Sequence, residues 1–260
     1  MKTLIKRLIN KLGYSLHKTT SEVSFGSTKD MKEKEFWEIY DLCKPYTMTS
    51  VERMYSLYLS VEYVLSNNIG GSFVECGVWR GGSAMLIAKM LENRNSNRKI
   101  YLYDTFDGMS DPTDKDVTRD GVDASTSLKA NISNKENSVW CLANLVDVQR
   151  NLRLTQYEES NLVYVKGKVE DTIPRVIPNE RIALLRLDTD WYESTKHELT
   201  FLFPNFTQNG VLIIDDYGFW KGCRKAVQEY FKEQKISILL NRIDDTGRIA
   251  IKTSNGVEYK

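Results

Sequence analysis

Apolar positions change their spacing along the chain near residue 70. Between Met31 and Asn67 they recur with a helical period, Phe36, Trp37 and Tyr40 in one group and Met54, Leu57, Tyr58 and Val61 in another, with a break at Pro45. That pattern predicts two or three helices. Further on, short apolar, β-branched or aromatic runs of strand length appear at Ser72–Cys76, Ile100–Tyr103, Leu162–Val165, Ile182–Leu187 and Val211–Ile214. Helix-period stretches lie between them, most clearly Ser83–Glu92, Ser138–Leu152, Ser194–Phe203 and Cys223–Lys232. Strands alternating with helices predict an α/β fold, a doubly wound and mostly parallel sheet, because parallel strands need a crossover and a helix supplies it. Ligands in such sheets bind outside the carboxyl ends of the strands.

Two segments stand apart. In residues 1–18 Leu4, Ile5, Leu8, Ile9 and Leu12 share a helical spacing with Lys2, Lys6, Arg7, Lys11 and Lys18, and no residue there is acidic. This predicts a basic amphipathic helix, whose charges argue against a cleaved signal peptide. It would pack on its own domain, on a second subunit, or against a membrane surface as a peripheral contact. With the Ser, Thr and Gly of 19–30 as linker, the expected organisation is an arm at 1–30 and one domain at 31–260. The stretch 105–136 fits neither period and is crowded with Asp, Thr, Ser, Asn and Gly, as a lid or binding loop over the strand ends would be.

Composition narrows the function classes. Lys+Arg 36 against Asp+Glu 35 leaves a net charge of +1, too little to hold a polyanion by counterion release, so nucleic acid is not the expected partner. The four cysteines, Cys43, Cys76, Cys141 and Cys223, form no close pair, which fits neither a zinc ribbon nor a disulfide framework and agrees with a reduced, cytoplasmic setting. The apolar runs fall far short of the roughly 20 residues that span a bilayer. A homo-oligomer, dimer or tetramer, is expected.

Candidate chemistry collects at the predicted strand ends. Glu75-Cys76-Gly77-Val78-Trp79-Arg80-Gly81-Gly82-Ser83 joins the first strand to a helix, where glycines let a ligand approach the backbone and free N–H groups favour an anion. The spacing is not that of a dinucleotide loop, and Glu75 would repel a pyrophosphate. An acid beside an anion-favouring turn suits a ligand carrying both an ammonium and a carboxylate group, as the methionine end of S-adenosylmethionine does. Asp104 ends the second strand, where a carboxylate can accept from ribose hydroxyls or simply cap the following turn. Asp188 and Asp190 end the fourth strand and Asp215-Asp216 the fifth. If those strands are neighbours, the carboxylates converge, which calls for protons or a cation, and oxygen-only ligands point to Mg²⁺ or Ca²⁺. His197 and the trio Trp79, Trp191 and Trp220 are weaker candidates, for a base and for a stacking wall.

Together Phe73–Ser83, Tyr103-Asp104-Thr105-Phe106-Asp107-Gly108-Met109, Leu187-Asp188-Thr189-Asp190-Trp191-Tyr192-Glu193-Ser194-Thr195 and Ile214-Asp215-Asp216-Tyr217 resemble the macrocin O-methyltransferase (TylF/MycF/NovP) family. The resemblance implies a Rossmann-like, class I methyltransferase fold with extra N-terminal helices and a long lid loop. It implies S-adenosylmethionine and Mg²⁺ as cofactors and a sugar hydroxyl as acceptor. Glu75, Gly77, Val78 and Ser83 would then lie along the methionine part of the donor, Asp104 and Thr105 at the ribose, and Gly167 with Glu170 or Asp171 at the adenine. Asp188 would touch the donor and, with Asp215 and Asp216, hold the metal, while Asp190, or Asp188, would serve as general base. Ser110 departs from the proline usual in that family after Gly-Met. Two rival readings are an NAD-dependent oxidoreductase, disfavoured by Glu75 and by carboxylates that hydride transfer does not need, and a non-catalytic scaffold recruited to membranes by the basic arm.

Overall fold

The computed structural model describes residues 28–136 and 138–253. The chain divides into two units, 1–32 and 33–260. Of the first, only residues 28–32 are described, with a 3-10 turn at Thr28–Asp30, so the expectations for the basic arm at 1–18 fall outside the described residues.

The second unit opens with two helices, α1 (Lys34–Cys43) and α2 (Val51–Ser66). Phe36, Ile39 and Cys43 make the buried stripe of α1, and Met54, Leu57, Tyr58, Val61 and Val64 that of α2. Ser50 caps α2, its hydroxyl accepting from the backbone N–H of Arg53 at 3.2 Å, and that cap fixes where Arg53 projects. Seven strands follow, β1 (Ser72–Cys76), β2 (Ile100–Asp104), β3 (Leu162–Lys166), β4 (Ile182–Leu187), β5 (Phe206–Ile214), β6 (Asn241–Arg242) and β7 (Arg248–Ile251). They form one sheet in the order β3-β2-β1-β4-β5-β7-β6, parallel through β5 and antiparallel at β7 and β6. Helices α3 (Gly82–Asn93), α4 (Ala124–Ala130), α5 (Leu145–Arg153), α6 (Val169–Thr172), α7 (Tyr192–Leu202) and α8 (Lys221–Glu233) complete the unit. All five predicted strands form. Every residue of β1 and of β4 is buried, as a sheet covered on both faces requires. No helix among the described residues is long and apolar enough to cross a membrane.

Three elements differ from the sequence reading. The helix expected over Ser138–Leu152 begins only at Leu145: Cys141 has φ 47°, which breaks a helix, and the Asn144 side chain caps the real start by accepting from Asp147 N–H at 2.9 Å. The β6–β7 hairpin was not predicted, its strands being too short to show a period. The stretch 105–136 is ordered, contains α4, and bridges through Thr118 to Trp220. Its anchor is the buried Asp116. One carboxylate oxygen accepts from Tyr192 N–H at 2.7 Å, at the start of α7; the other accepts from the N–H and hydroxyl of Thr113 at 2.7 and 2.9 Å. Asp116→Ala strands those donors, and should cost about 1–3 kcal/mol and open 105–136 to limited proteolysis while the sheet stays intact. Cleavage no faster than in the wild type would rule that anchor out.

β1 lies between β2 and β4, so the chain leaves it in both directions and a crevice opens at the carboxyl ends of these strands.

Candidate active site

A cleft of about 230 Å³, open to solvent, occupies that crevice. Gly77, Val78, Ser83, Asp104, Thr105, Gly167, Glu170, Asp188, Asp190, Asp215 and Asp216 line it, with Arg53 and Arg186. Glu75 and Asp171 do not. Glu75 is buried beneath the floor, and Asp171 borders a separate shallow groove with Arg175.

The turn after β1 explains its glycine. Gly77 donates to Tyr103 O at 2.9 Å while Asp188 donates to Cys76 O at 2.8 Å, so the chains leaving β1 and β4 cross at contact distance. Gly77 has φ 83°, and a Cβ there would overlap the carbonyl of Asp188. Gly77→Ala should therefore lose at least about 2 kcal/mol, roughly 4–8 °C in Tm, and a thermal unfolding curve checks it. An unchanged Tm would mean that the two chains can separate without cost. Asp104 accepts from Val78 and Trp79 N–H at 2.7 and 3.1 Å through one oxygen and from Phe106 N–H at 2.7 Å through the other. The capping reading of this residue holds, since one carboxylate fastens two turns, and the residue also lines the cleft. The Thr105 hydroxyl lies 3.3 Å from the same oxygen that takes Phe106, so a ligand hydroxyl here would share or displace one of these contacts. Trp79, Phe106 and Asp190, on three loops rimming the cleft, have φ of 47°, 49° and 66°, the kind of backbone strain that gathers at functional sites.

The pairing of β4 with β5 brings their terminal carboxylates together. Oxygens of Asp188, Asp215 and Asp216 lie within 4.8 Å of one another, close enough to share one ion. Arg186, the one charge in β4, sits under them and is 3% exposed. Its guanidinium spans Glu75 at 2.7 Å, Asp188 at 2.7 Å and Asp215 at 2.8 Å. Arg53 pairs with Asp215 and, at 3.0 Å, with Asp244. These two cations do not satisfy the cluster. Burial pushes Glu75 up to about 7 in spite of Arg186, and burial together with the charge of Asp188 does the same to Asp190. Asp188 and Asp216 are held well above the usual carboxylate range, first by burial and then by their acidic neighbours. Among the described residues no hydrogen-bond donor reaches the buried Oδ2 of Asp216. An all-oxygen set with an orphaned carboxylate oxygen fits a hard divalent cation such as Mg²⁺.

The remaining candidates separate cleanly. Glu170 faces the cleft, accepting from the Ser194 hydroxyl at 2.7 Å. Thr105 donates to Gly108 O at 2.6 Å and so holds the turn after β2. His197 lies against Phe201, ring centroids 4.5 Å apart, and does not line the cleft. Trp191 is buried edge-on against Trp220, whose indole N–H donates to Asp190 Oδ1 at 2.9 Å; only Trp79 of the three tryptophans lines the cleft. Sequence reading missed Arg186, Arg53 and Glu198. Arg186 carried a signal, a charge inside a fully apolar strand. Glu198, completely buried and pushed well up by that burial, accepts from the Thr189 hydroxyl at 2.9 Å and steadies the segment between Asp188 and Asp190.

The sheet order and the cleft at its switch point define a Rossmann-like methyltransferase. Residues 6–251 match the family described as Macrocin-O-methyltransferase (TylF), and the chain belongs to that family of O-methyltransferases. It is 33% identical over 203 residues to demethyldecarbamoylnovobiocin O-methyltransferase of Streptomyces niveus, a match covering 78% of this chain and 74% of that protein. It is 32% identical over the same length to mycinamicin III 3''-O-methyltransferase of Micromonospora griseorubida, covering 78% and 76%. Among solved structures, that of the O-methyltransferase NovP superposes with a TM-score of 0.68 at 32% identity, covering 80% of this chain and 82% of that one. The calicheamicin methyltransferase CalS11 shares the fold, with a TM-score of 0.60 at 17% identity, covering 92% and 99%.

Proposed function

We propose that this chain methylates a sugar hydroxyl, with S-adenosylmethionine as donor and a divalent cation of the magnesium class held by Asp188, Asp215 and Asp216. The convergence of those three carboxylates in the cleft, with Asp216 Oδ2 left unpartnered, carries the reading. The relatives' names add the acceptor class: one acts on a rhamnosyl-bearing tetracenomycin at a 4' oxygen.

S-adenosylmethionine supplies an electrophilic methyl group, and a bound divalent cation lowers the pKa of a hydroxyl next to it. Everything else falls to the chain. Gly77, Val78 and Ser83 border the methionine end of the donor, Asp104 with Thr105 takes the ribose, and Gly167 and Glu170 border the adenine. Glu75 acts from below, holding the guanidinium of Arg186 that in turn sets Asp188 and Asp215. Asp171, turned away from the cleft, takes no part. Asp190 is the general base: Trp220 fixes its Oδ1 in the lining of the cleft, two residues from Asp188. The tryptophan, Glu198 and the crossing at Gly77 pre-set these groups, and pre-set geometry is the main means by which such a site speeds a displacement.

Transfer of label from methyl-labelled S-adenosylmethionine to rhamnosides and nucleotide-linked deoxysugars tests the reading. Labelled methyl ether is expected with Mg²⁺, with loss in EDTA and recovery on adding metal back. Turnover indifferent to EDTA would contradict the metal assignment, and absence of label from every acceptor would contradict the sugar assignment.

A further inference from the structure

Beside the carboxylates, on the β5–β7 side, the chain gathers positive charge that the proposed chemistry does not use. Tyr217 follows Asp216, and two guanidiniums lie against its ring, Arg224 at 5.3 Å and Arg248 at 5.2 Å from the ring centroid. Arg224 comes from the first turn of α8, Arg248 from the start of β7, and Arg242 from β6 joins them from across the hairpin. Among the described residues neither Arg224 nor Arg248 has a carboxylate partner. Arg224 donates only to the Tyr217 carbonyl at 3.1 Å, and Arg248 only to backbone carbonyls of the hairpin turn, the nearest Gly247 O at 2.8 Å. Arg242 is paired with Asp245, but Asp245 is already shared with Arg119. The guanidiniums repel one another: burial and the charges of Arg242 and Arg224 hold Arg248 below the usual arginine range. The Tyr217 ring and the backbone carbonyls offset part of that repulsion, and a bound anion would relieve the rest.

The cluster adjoins the cleft. Arg248 pairs across the sheet with Ile214, one residue before Asp215, and the hairpin turn at Gly247 abuts the Arg53 side chain that lines the cleft. A carboxylate is matched by one guanidinium, whereas neighbouring guanidiniums, here two against Tyr217 and a third on the residue paired with Arg248 across β6–β7, suit the several oxygens of a diphosphate. We propose that Arg224, Arg242 and Arg248 around Tyr217 form a phosphate site that holds the diphosphate of a nucleotide-linked sugar acceptor while its sugar lies at Asp188 and Asp190. This deepens the sugar-methylation reading and rests on it for the occupant of the cleft.

Titration of inorganic pyrophosphate and of uridine diphosphate into the full-length protein in EDTA tests it, since chelation removes any binding through a cation. Both should bind, more weakly as salt rises, and Arg224→Met and the double variant Arg224→Met/Arg248→Met should each weaken them by about tenfold or more. Lys34→Met, on an exposed helix start, serves as the charge-matched control and should change nothing. Arg224 is the decisive single site, because its loss leaves the hairpin bonds of Arg248 intact. Affinity unchanged in Arg224→Met, or no binding at all, overturns the proposal. So does arginine-dependent pelleting with vesicles containing phosphatidylglycerol, which would place the anion in a lipid surface. S-adenosylmethionine titrated into the same samples keeps the two readings apart: donor binding without pyrophosphate binding removes only the phosphate site, and the reverse removes only the methyl-transfer reading.

Discussion

Arg186→Met is expected to destabilise the chain by about 3–5 kcal/mol, more than any surface substitution, and to lower Tm by roughly 10 °C or more. A buried ion pair adds little when complete, yet removing one partner leaves the other charge stranded in a low dielectric. Here one guanidinium serves Glu75, Asp188 and Asp215 at once, so a single change strands Glu75 and Asp188 within the floor of the cleft and leaves Asp215 to Arg53 alone. Arg186→Lys should recover only part of the loss, because an ammonium is a point charge and cannot present a planar fork to three acceptors. Glu75→Gln should be milder than either, since the amide oxygen can still accept from the guanidinium. Thermal unfolding of the three variants checks the order. A methionine variant within about 1 kcal/mol of the wild type would mean that the carboxylates already carry protons and need no counter-charge.

Asp216→Asn separates stability from activity. No cation of the chain pairs with Asp216 at ion-pair distance among the described residues; burial first, and then its carboxylate neighbours, hold its own proton affinity high. Removing that charge should leave the chain at least as stable as before, by up to about 1 kcal/mol, because it relieves like-charge crowding. The same change should weaken divalent-cation binding and lower kcat by about 100-fold or more, as expected when a group that stabilises developing charge is lost. Asp188→Asn should cut activity similarly but cost stability, since it also takes a partner from Arg186. Calorimetric cation titration and unfolding of both proteins give the comparison. Loss of stability in Asp216→Asn, or full metal-dependent turnover, would contradict the assignment.

The sheet was legible because its strands are continuous apolar runs that only a two-sided burial explains, and Ile182–Leu187 matches the observed β4. The carboxylate cluster was legible too, since adjacent strand ends carry it in sequence. What escaped the reading depends on contacts between distant residues. Arg53 matters through Asp215, 162 positions away, and the order of 105–136 hangs on Asp116 reaching Tyr192, 76 positions away. Neither leaves a local period. Glu198 looks like any acid on a polar helix until the fold buries it. The start of α5 leaves little local signal because a cap such as Asn144 is a single residue inside a mixed polar stretch, and the place of Glu75 beneath the cleft depends on Arg186, on another strand 111 positions on.

The central claim is that the cleft at the ends of β1 and β2 holds S-adenosylmethionine, and calorimetric titration of that donor into wild type and Asp104→Ala, with NAD as comparison, tests it most directly. Binding in the micromolar range is predicted for the wild type, weakened about tenfold or more in Asp104→Ala, with no heat from NAD. Binding of NAD in place of S-adenosylmethionine, or of neither, would contradict the account.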